Sequence, residues 1–221
     1  MDKTGIGSDA ISLEGYISLE SVIESHIRTS PHILLRDTPE MMFDVKTRVD
    51  FYDIFKYVNK ETKLLDMGCG KGLFTLYLSD YVKEAVGIDY NRENIKIATS
   101  FSLMKKKKCK FINTSFDEYF SNNRTFDFIL LLAVFDHILK DNSNLNDKKL
   151  IDICKNKINK NGYLLIESGP IYTEVNKLPS KDYETNWMET IYKTLKNDNE
   201  LEEIYTKPSR EKRILHLFKK I

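Results

Sequence analysis

The sequence predicts an α/β fold: a doubly wound, mostly parallel seven-stranded sheet with helices on both faces and a C-terminal antiparallel hairpin. Three observations predict it. After Asn59, short apolar runs alternate with longer amphipathic stretches. The apolar runs are hydrophobic on both faces, as buried parallel strands covered by helices must be. The last two runs have no helix between them, so they pair antiparallel at the sheet edge.

The elements follow in order. Phe43, Val45, Val49, Tyr52, Ile54, Phe55 and Val58 keep helical spacing, which predicts a helix over Met42–Tyr57. Lys63–Met67 reads as a strand, Leu73–Asp80 as a helix, Glu84–Asp89 as a strand and Glu93–Met104 as a helix. Lys110–Thr114 is the third strand, with a short helical piece around Asp117–Phe120. Phe126–Leu132 is a near-continuous apolar strand, Asp147–Ile158 a helix and Tyr163–Glu167 a fifth strand. Tyr183–Leu195 reads as a helix. Leu201–Thr206 and Lys212–Phe218 read as two strands joined by a turn at Lys207–Pro208–Ser209. Residues 1–40, with Gly5, Gly7, Gly15, Pro31 and Pro39, read as an irregular arm or a lid; 41–221 form the main domain.

Composition narrows the function. With 34 Lys+Arg against 33 Asp+Glu, the net charge of +1 argues against a chain that holds nucleic acid by bulk charge. No apolar run approaches the roughly 18 residues of a membrane span. The N-terminus lacks the charged-then-apolar layout of a secretory signal. Cys69, Cys109 and Cys154 form neither a disulfide framework nor a zinc pattern, and no metal cluster stands out; a reducing cytoplasm suits them. The Lys105–Lys108 run reads as a solvated helix end whose charges complement the helix dipole.

The most informative segment is Leu64-Leu65-Asp66-Met67-Gly68-Cys69-Gly70-Lys71-Gly72, where the first strand hands over to a helix. Glycine at every second position lets the backbone turn tightly and approach a ligand. The dinucleotide spacing G-x-G-x-x-G fails, because Leu73 stands at the third glycine. The phosphate-loop spacing fails as well. What remains is D-x-G-x-G-x-G. Asp66 would repel a pyrophosphate and instead favours a cationic amino-acid moiety. Asp89 closes the second strand, placed as a fork acceptor for the vicinal diol of a ribose. Its other possible role is the N-cap of the helix that follows.

Leu65–Thr75, Gly87–Asn91, Asn113–Phe116 and Phe126–Ile138 together resemble class I S-adenosylmethionine-dependent methyltransferases, from about Phe43 to the C-terminus. The resemblance implies that Asp66, Gly68, Cys69, Gly70 and Gly72 shape the pocket for the methionine part of S-adenosylmethionine. It implies that Asp89 binds the ribose and that the Thr114-Ser115-Phe116 corner flanks the adenine. Many members carry Asp where Ser115 stands; Asp117 could substitute. Tyr90 and Phe116 are expected walls of the adenine slot, and Leu132 lies where the fourth strand meets the cofactor. Cys69 is read as a small packing residue and not as a nucleophile. In the family the fourth strand end opens to the acceptor, which makes Asp136 and His137 the candidates for acceptor chemistry. A histidine near neutrality can take the proton of a hydroxyl acceptor.

Secondary candidates are Arg36, Lys46 and Arg48, for the cofactor carboxylate or an anionic substrate, and His26 and His32, for a lid. His216 is read as structural. Tyr172, Tyr183 and Trp187 belong to an insert expected to shape acceptor specificity. The expected activity is methyl transfer, mainly to oxygen, on a small-molecule, sugar or glycan acceptor, leaving S-adenosylhomocysteine. A looser similarity of Phe43–Arg48 and Pro208–Phe218 to methyltransferases of bacterial surface polysaccharides makes Arg210 and Arg213 candidates for an anionic acceptor. RNA or protein methylation, and a cofactor-binding module without turnover, are the alternatives.

Overall fold

The computed structural model describes residues 39–121, 123–134, 146–168, 192–209 and 213–221. The chain divides into two units, Met1–Asp44 and Val45–Ile221. Of the first, only residues 39–44 are described, and they begin helix α1 (Pro39–Phe51).

Within the second unit, apolar strands alternate with helices. They run β1 (Lys63–Met67), α2 (Leu73–Leu78), β2 (Glu84–Asp89), α3 (Arg92–Met104), β3 (Cys109–Asn113) and α4 (Phe116–Phe120). Then come β4 (Phe126–Leu132), α5 (Asp147–Lys157), β5 (Ile158–Ser168), β6 (Leu201–Pro208) and β7 (Ile214–Lys220). The strands form one sheet in the order β3-β2-β1-β4-β5-β7-β6. β3 to β5 are parallel, and β7 runs antiparallel to both β5 and β6. Alternation along each strand divides the core. Leu65, Met67, Ile129 and Leu131 face α5 through Leu150, Ile151 and Cys154. Leu64, Phe128 and Leu130 face Val45, Val49 and Tyr52 of the α1 segment and Phe74 and Leu78 of α2. Helices therefore cover both faces, as predicted. No helix among the described residues is long and apolar enough to cross a membrane.

Some boundaries differ from expectation. The helix over Met42–Tyr57 is broken. α1 stops at Phe51, Asp53 takes a left-handed conformation (φ 58°), and Ile54–Lys56 forms a 3-10 turn. Aspartate tolerates that region, and here its carboxylate meets Lys56 and Lys207. β5 begins at Ile158, not Tyr163, because Ile158 already pairs with Phe126 before a register shift. The hairpin turn is not at Lys207–Ser209: β6 continues through Pro208, and Ser209 N–H bonds Arg213 O at 2.7 Å. Proline is tolerated there because β6 is an edge strand. Of the helix expected over Tyr183–Leu195, residues 192–196 are described, and they are helical.

β1 has β2 on one side and β4 on the other. The strand order reverses there, and in open α/β sheets that reversal leaves a crevice beyond the carboxyl ends of the strands. The glycine loop leaves β1 at this crevice.

Candidate active site

The loop after β1 is built almost entirely from backbone. Gly68, Gly70 and Gly72 all have positive φ (68°, 54° and 79°). Two of them are needed for different reasons. A Cβ on Gly68 would lie 2.2 Å from Val134 Cγ2, so this glycine lets the exit of β4 cross the loop. A Cβ on Gly70 would meet nothing within 4 Å, so Gly70 turns the backbone toward open space. Cys69 N–H bonds Ile88 O at 2.9 Å, tying the loop to β2. Burial pushes the Cys69 thiol well up, which removes it as a thiolate nucleophile. Asp66 is buried and accepts the Thr75 hydroxyl at 2.7 Å. Burial pushes its carboxyl up to about 6, against the pull of the Thr75 hydrogen bond.

Asp89 stands at the carboxyl end of β2. One carboxylate oxygen accepts Gly70 N–H at 2.8 Å, and the other accepts Asn91 N–H at 2.8 Å. The N-cap of α3 is not Asp89: Asn91 does that, accepting from Glu93 N and Asn94 N. The Asp89 carboxylate is thus held by backbone donors of two loops. Each oxygen has lone-pair capacity beyond those bonds, which suits a fork of two hydroxyls.

The corner after β3 flanks the same region. Asn113 Nδ2 donates to the carbonyls of Asp89 (3.1 Å) and Tyr90 (2.8 Å), fixing the β2 exit. Tyr90 is 68% exposed, a ring without cover on this surface. Ser115 caps α4, its hydroxyl accepting Glu118 N–H at 3.3 Å. Phe116 pairs with Phe120, ring centres 5.5 Å apart, and packs against the core. The Asp117 side chain lies outside the described residues.

On the other side of the crevice the polar groups are side chains. Glu167, at the end of β5, is fully buried. One of its oxygens accepts the hydroxyls of Tyr52 (2.5 Å) and Ser209 (2.6 Å). The other faces Arg48 at 3.3 Å and Arg213 at 3.4 Å. Burial alone would raise this carboxyl. The Ser209 and Tyr52 hydrogen bonds and the two guanidiniums outweigh it and hold the group below the usual carboxylate range. Arg48 also donates from Nε to the Tyr52 hydroxyl at 3.0 Å and lies over the Phe74 ring at 4.5 Å. Its charge reaches Asp66, whose carboxyl it lowers. The Glu167 carbonyl accepts Ala133 N–H at 3.0 Å, where the chain leaves β4 with Ala133 at φ 57°.

The structure therefore gathers Asp66, Gly68, Cys69, Gly70, Gly72, Asp89 and Tyr90 at one end of β1 and β2, with Ser115 and Phe116 beyond β3. Leu132, at the end of β4, is half-buried and packs on the α1 side of the sheet. Asp136 and His137 lie outside the described residues, as do His26, His32, Arg36, Tyr172, Tyr183, Trp187 and Arg210. Lys46 pairs with its helical neighbour Asp50 on the surface, away from the cluster around Arg48. His216 is buried among Thr206, Tyr192 and Phe218, in keeping with a structural role. Sequence reasoning missed Glu167, Tyr52 and Asn113. A glutamate closing an otherwise apolar strand was the one available signal.

Comparison with known proteins gives the chain a family and its fold a set of neighbours. The profile of the methyltransferase domain family matches residues 37–203. A ubiquinone biosynthesis O-methyltransferase of Pelagibacter ubique is 32% identical over 95 residues, 40% of this chain and 39% of that protein. The mitochondrial counterpart of Rattus norvegicus is 34% identical over 119 residues, 52% of this chain and 31% of that one. The chain thus spans well under half the length of these relatives. In structure, the N-methyltransferase NodS of Bradyrhizobium japonicum with bound S-adenosylhomocysteine superposes with a TM-score of 0.61 at 18% identity. That match covers 93% of this chain and 97% of NodS. The magnesium protoporphyrin IX methyltransferase of Synechocystis gives 0.57 at 14% identity, over 98% and 87% of the two chains. The matched span takes in the glycine loop, Asp89 and the buried Glu167, and on it this chain belongs to the methyltransferase domain family.

Proposed function

We propose that this chain methylates an oxygen of a small-molecule, sugar or glycan-phosphate acceptor, with the cofactor lying across the carboxyl ends of β1 and β2. One observation carries the cofactor pose. Asp89 is held by Gly70 N–H and Asn91 N–H, and Gly70 faces open space, so a ribose diol fits against that carboxylate. Tyr90 and Phe116 wall the adenine. Asp66, with a carboxyl near 6, is ionised at neutral pH and favours a cationic ammonium in the methionine pocket shaped by Gly68, Cys69, Gly70 and Gly72. Arg48, across the crevice from Asp66, receives the cofactor's α-carboxylate.

S-adenosylmethionine supplies a methyl group on a sulfonium, which an acceptor lone pair displaces in line. The protein's share is to bring the two together and to hold the acceptor's proton. His137 takes that proton, and Asp136 orients it or the acceptor. The name of the ubiquinone O-methyltransferase relatives supports oxygen as the acceptor atom.

The placement of the lysine run argues against RNA as substrate. α3 leads away from Asp89, and Cys109, just after Lys105–Lys108, pairs with Ala85 at the start of β2. These lysines therefore lie at the end of the sheet opposite the glycine loop. They offer no basic face at the crevice.

Calorimetry of S-adenosylhomocysteine with wild type and Asp89→Ala tests the pose. Micromolar binding lost in a folded variant supports it; equal binding by both sinks it. An acceptor screen over phenols, sugars and phosphorylated glycans then tests the chemistry, and methyl transfer to amines alone would overturn the oxygen reading.

A further inference from the structure

We infer that Glu167 is a positioning residue for the cofactor: it holds the Arg48 guanidinium in the pose that receives the α-carboxylate. The inference rests on the reading of Arg48 given above.

A free arginine side chain samples many rotamers, and a ligand that needs one of them must pay the ordering entropy. Arg48 is already fixed. Nε–H donates to the Tyr52 hydroxyl at 3.0 Å, Nη2 faces Glu167 at 3.3 Å, and the guanidinium lies on the Phe74 ring at 4.5 Å. The Tyr52 hydroxyl passes its own proton toward Glu167 at 2.5 Å, closing a ring of three residues. The Nε and Nη2 edge of the fork is engaged with these partners. A guanidinium carries five N–H donors in a rigid plane, so fixing one edge aims the other.

The same buried carboxylate also faces Arg213, at 3.4 Å. A competing account is that Glu167 only neutralises Arg213 and pins the hairpin.

Two ligands and a charge-balanced variant separate the accounts. S-adenosylhomocysteine carries the α-carboxylate; 5′-methylthioadenosine shares the adenosine and lacks the amino-acid end. By calorimetry on the full chain, Glu167→Gln is expected to weaken S-adenosylhomocysteine about tenfold while methylthioadenosine stays within about twofold. The double variant Glu167→Gln/Arg213→Gln keeps the cluster's net charge, one guanidinium and no carboxylate. It is expected to remain about tenfold weak for S-adenosylhomocysteine, because Arg48 still lacks its holder. Recovery of affinity in the double variant overturns the inference, as does equal weakening of both ligands or no weakening. If Glu167→Gln does not fold, Tyr52→Phe carries the same comparison, since it removes the hydroxyl that joins Arg48 to Glu167. Selective loss supports the inference, and any other pattern overturns it. Arg48→Lys tests the underlying reading on its own. If it binds S-adenosylhomocysteine like wild type, Arg48 does not hold the carboxylate. If it is selectively weak while Glu167→Gln binds normally, only the role of Glu167 falls.

Discussion

The crevice has two walls built on different principles. On the β1–β2 wall Asp89 is held chiefly by main-chain donors, Gly70 N–H and Asn91 N–H at 2.8 Å, with the Asn94 side-chain amide further off at 3.5 Å; these loops are short and close in sequence. The β5–β7 wall holds its carboxylate with side chains: Glu167 accepts from Tyr52, Ser209, Arg48 and Arg213, which lie between 42 and 119 positions away. Backbone donors are present whatever the neighbouring side chains are, provided the chain can turn. Side-chain donors must each be chosen and then delivered by the fold. The first wall should therefore fail through backbone geometry and the second through charge.

Six substitutions sharpen or break that contrast. The largest effect is expected at Glu167→Ala. It leaves two guanidiniums facing an emptied site and is expected to cost about 3–5 kcal/mol in urea unfolding. A loss below 1 kcal/mol would mean that the side-chain wall is not held by charge. Gly68→Ala comes next, at about 3 kcal/mol, combining a disfavoured positive φ with a Cβ 2.2 Å from Val134 Cγ2. Gly70→Ala keeps the strain without the clash and is expected to cost about 1–2 kcal/mol. Its Cβ nevertheless enters the open space in which the cofactor is proposed to lie, so binding should suffer more than stability. Calorimetry alongside unfolding tests that split, and parallel losses would count against an open ligand face at Gly70.

Asp89→Asn is expected to fold and to bind S-adenosylhomocysteine about 100-fold more weakly, through loss of two charge-assisted bonds. Unchanged affinity would remove the diol fork.

The smallest effect is in pH dependence, where the two regions have opposite signs. Asp66 is raised to about 6 in the folded state, so the native chain binds the extra proton between the ordinary carboxylate pKa and 6. Its contribution is present at low pH and is lost as pH rises through 6. His216 is lowered by burial to about 4, so the unfolded chain binds the extra proton between 6.5 and 4. Its contribution is present above 6.5 and is lost as pH falls through 4. The two slopes oppose each other between pH 4 and 6. Asp66→Asn should therefore expose a stability that rises with pH there, and His216→Gln one that falls. Urea titrations at pH 4.5 and 6.5 measure both, and slopes of the same sign in the two variants would refute the assignment.

Much of the first wall was legible in the chain. β1, β2 and β4 begin and end where their apolar runs do, because buried parallel strands need continuous hydrophobicity. The glycine loop and Asp89 were legible because spacing within a few residues fixes their geometry. The sequence reading offers only Asp89 as the cap of α3; the structure gives that role to Asn91, two positions on and also a good cap residue. The break at Asp53 was hidden because the apolar spacing runs through it; its partner Lys207 comes from the distant hairpin. The hairpin turn was misplaced because Pro208 usually signals a turn, yet an edge strand needs no amide there.

The sequence by itself determined the fold class, the glycine loop that leaves β1 and the acid that closes β2. Each depends on local stereochemistry and on periodic burial, which neighbouring residues dictate. Only the tertiary structure decided that Glu167 would be buried against Arg48, Tyr52, Ser209 and Arg213. No spacing in the chain encodes that meeting. It arises because β7 returns antiparallel beside β5, and because the helix before β1 packs on the same face of the sheet. A charge cluster of this kind exists only once those long-range pairings have formed.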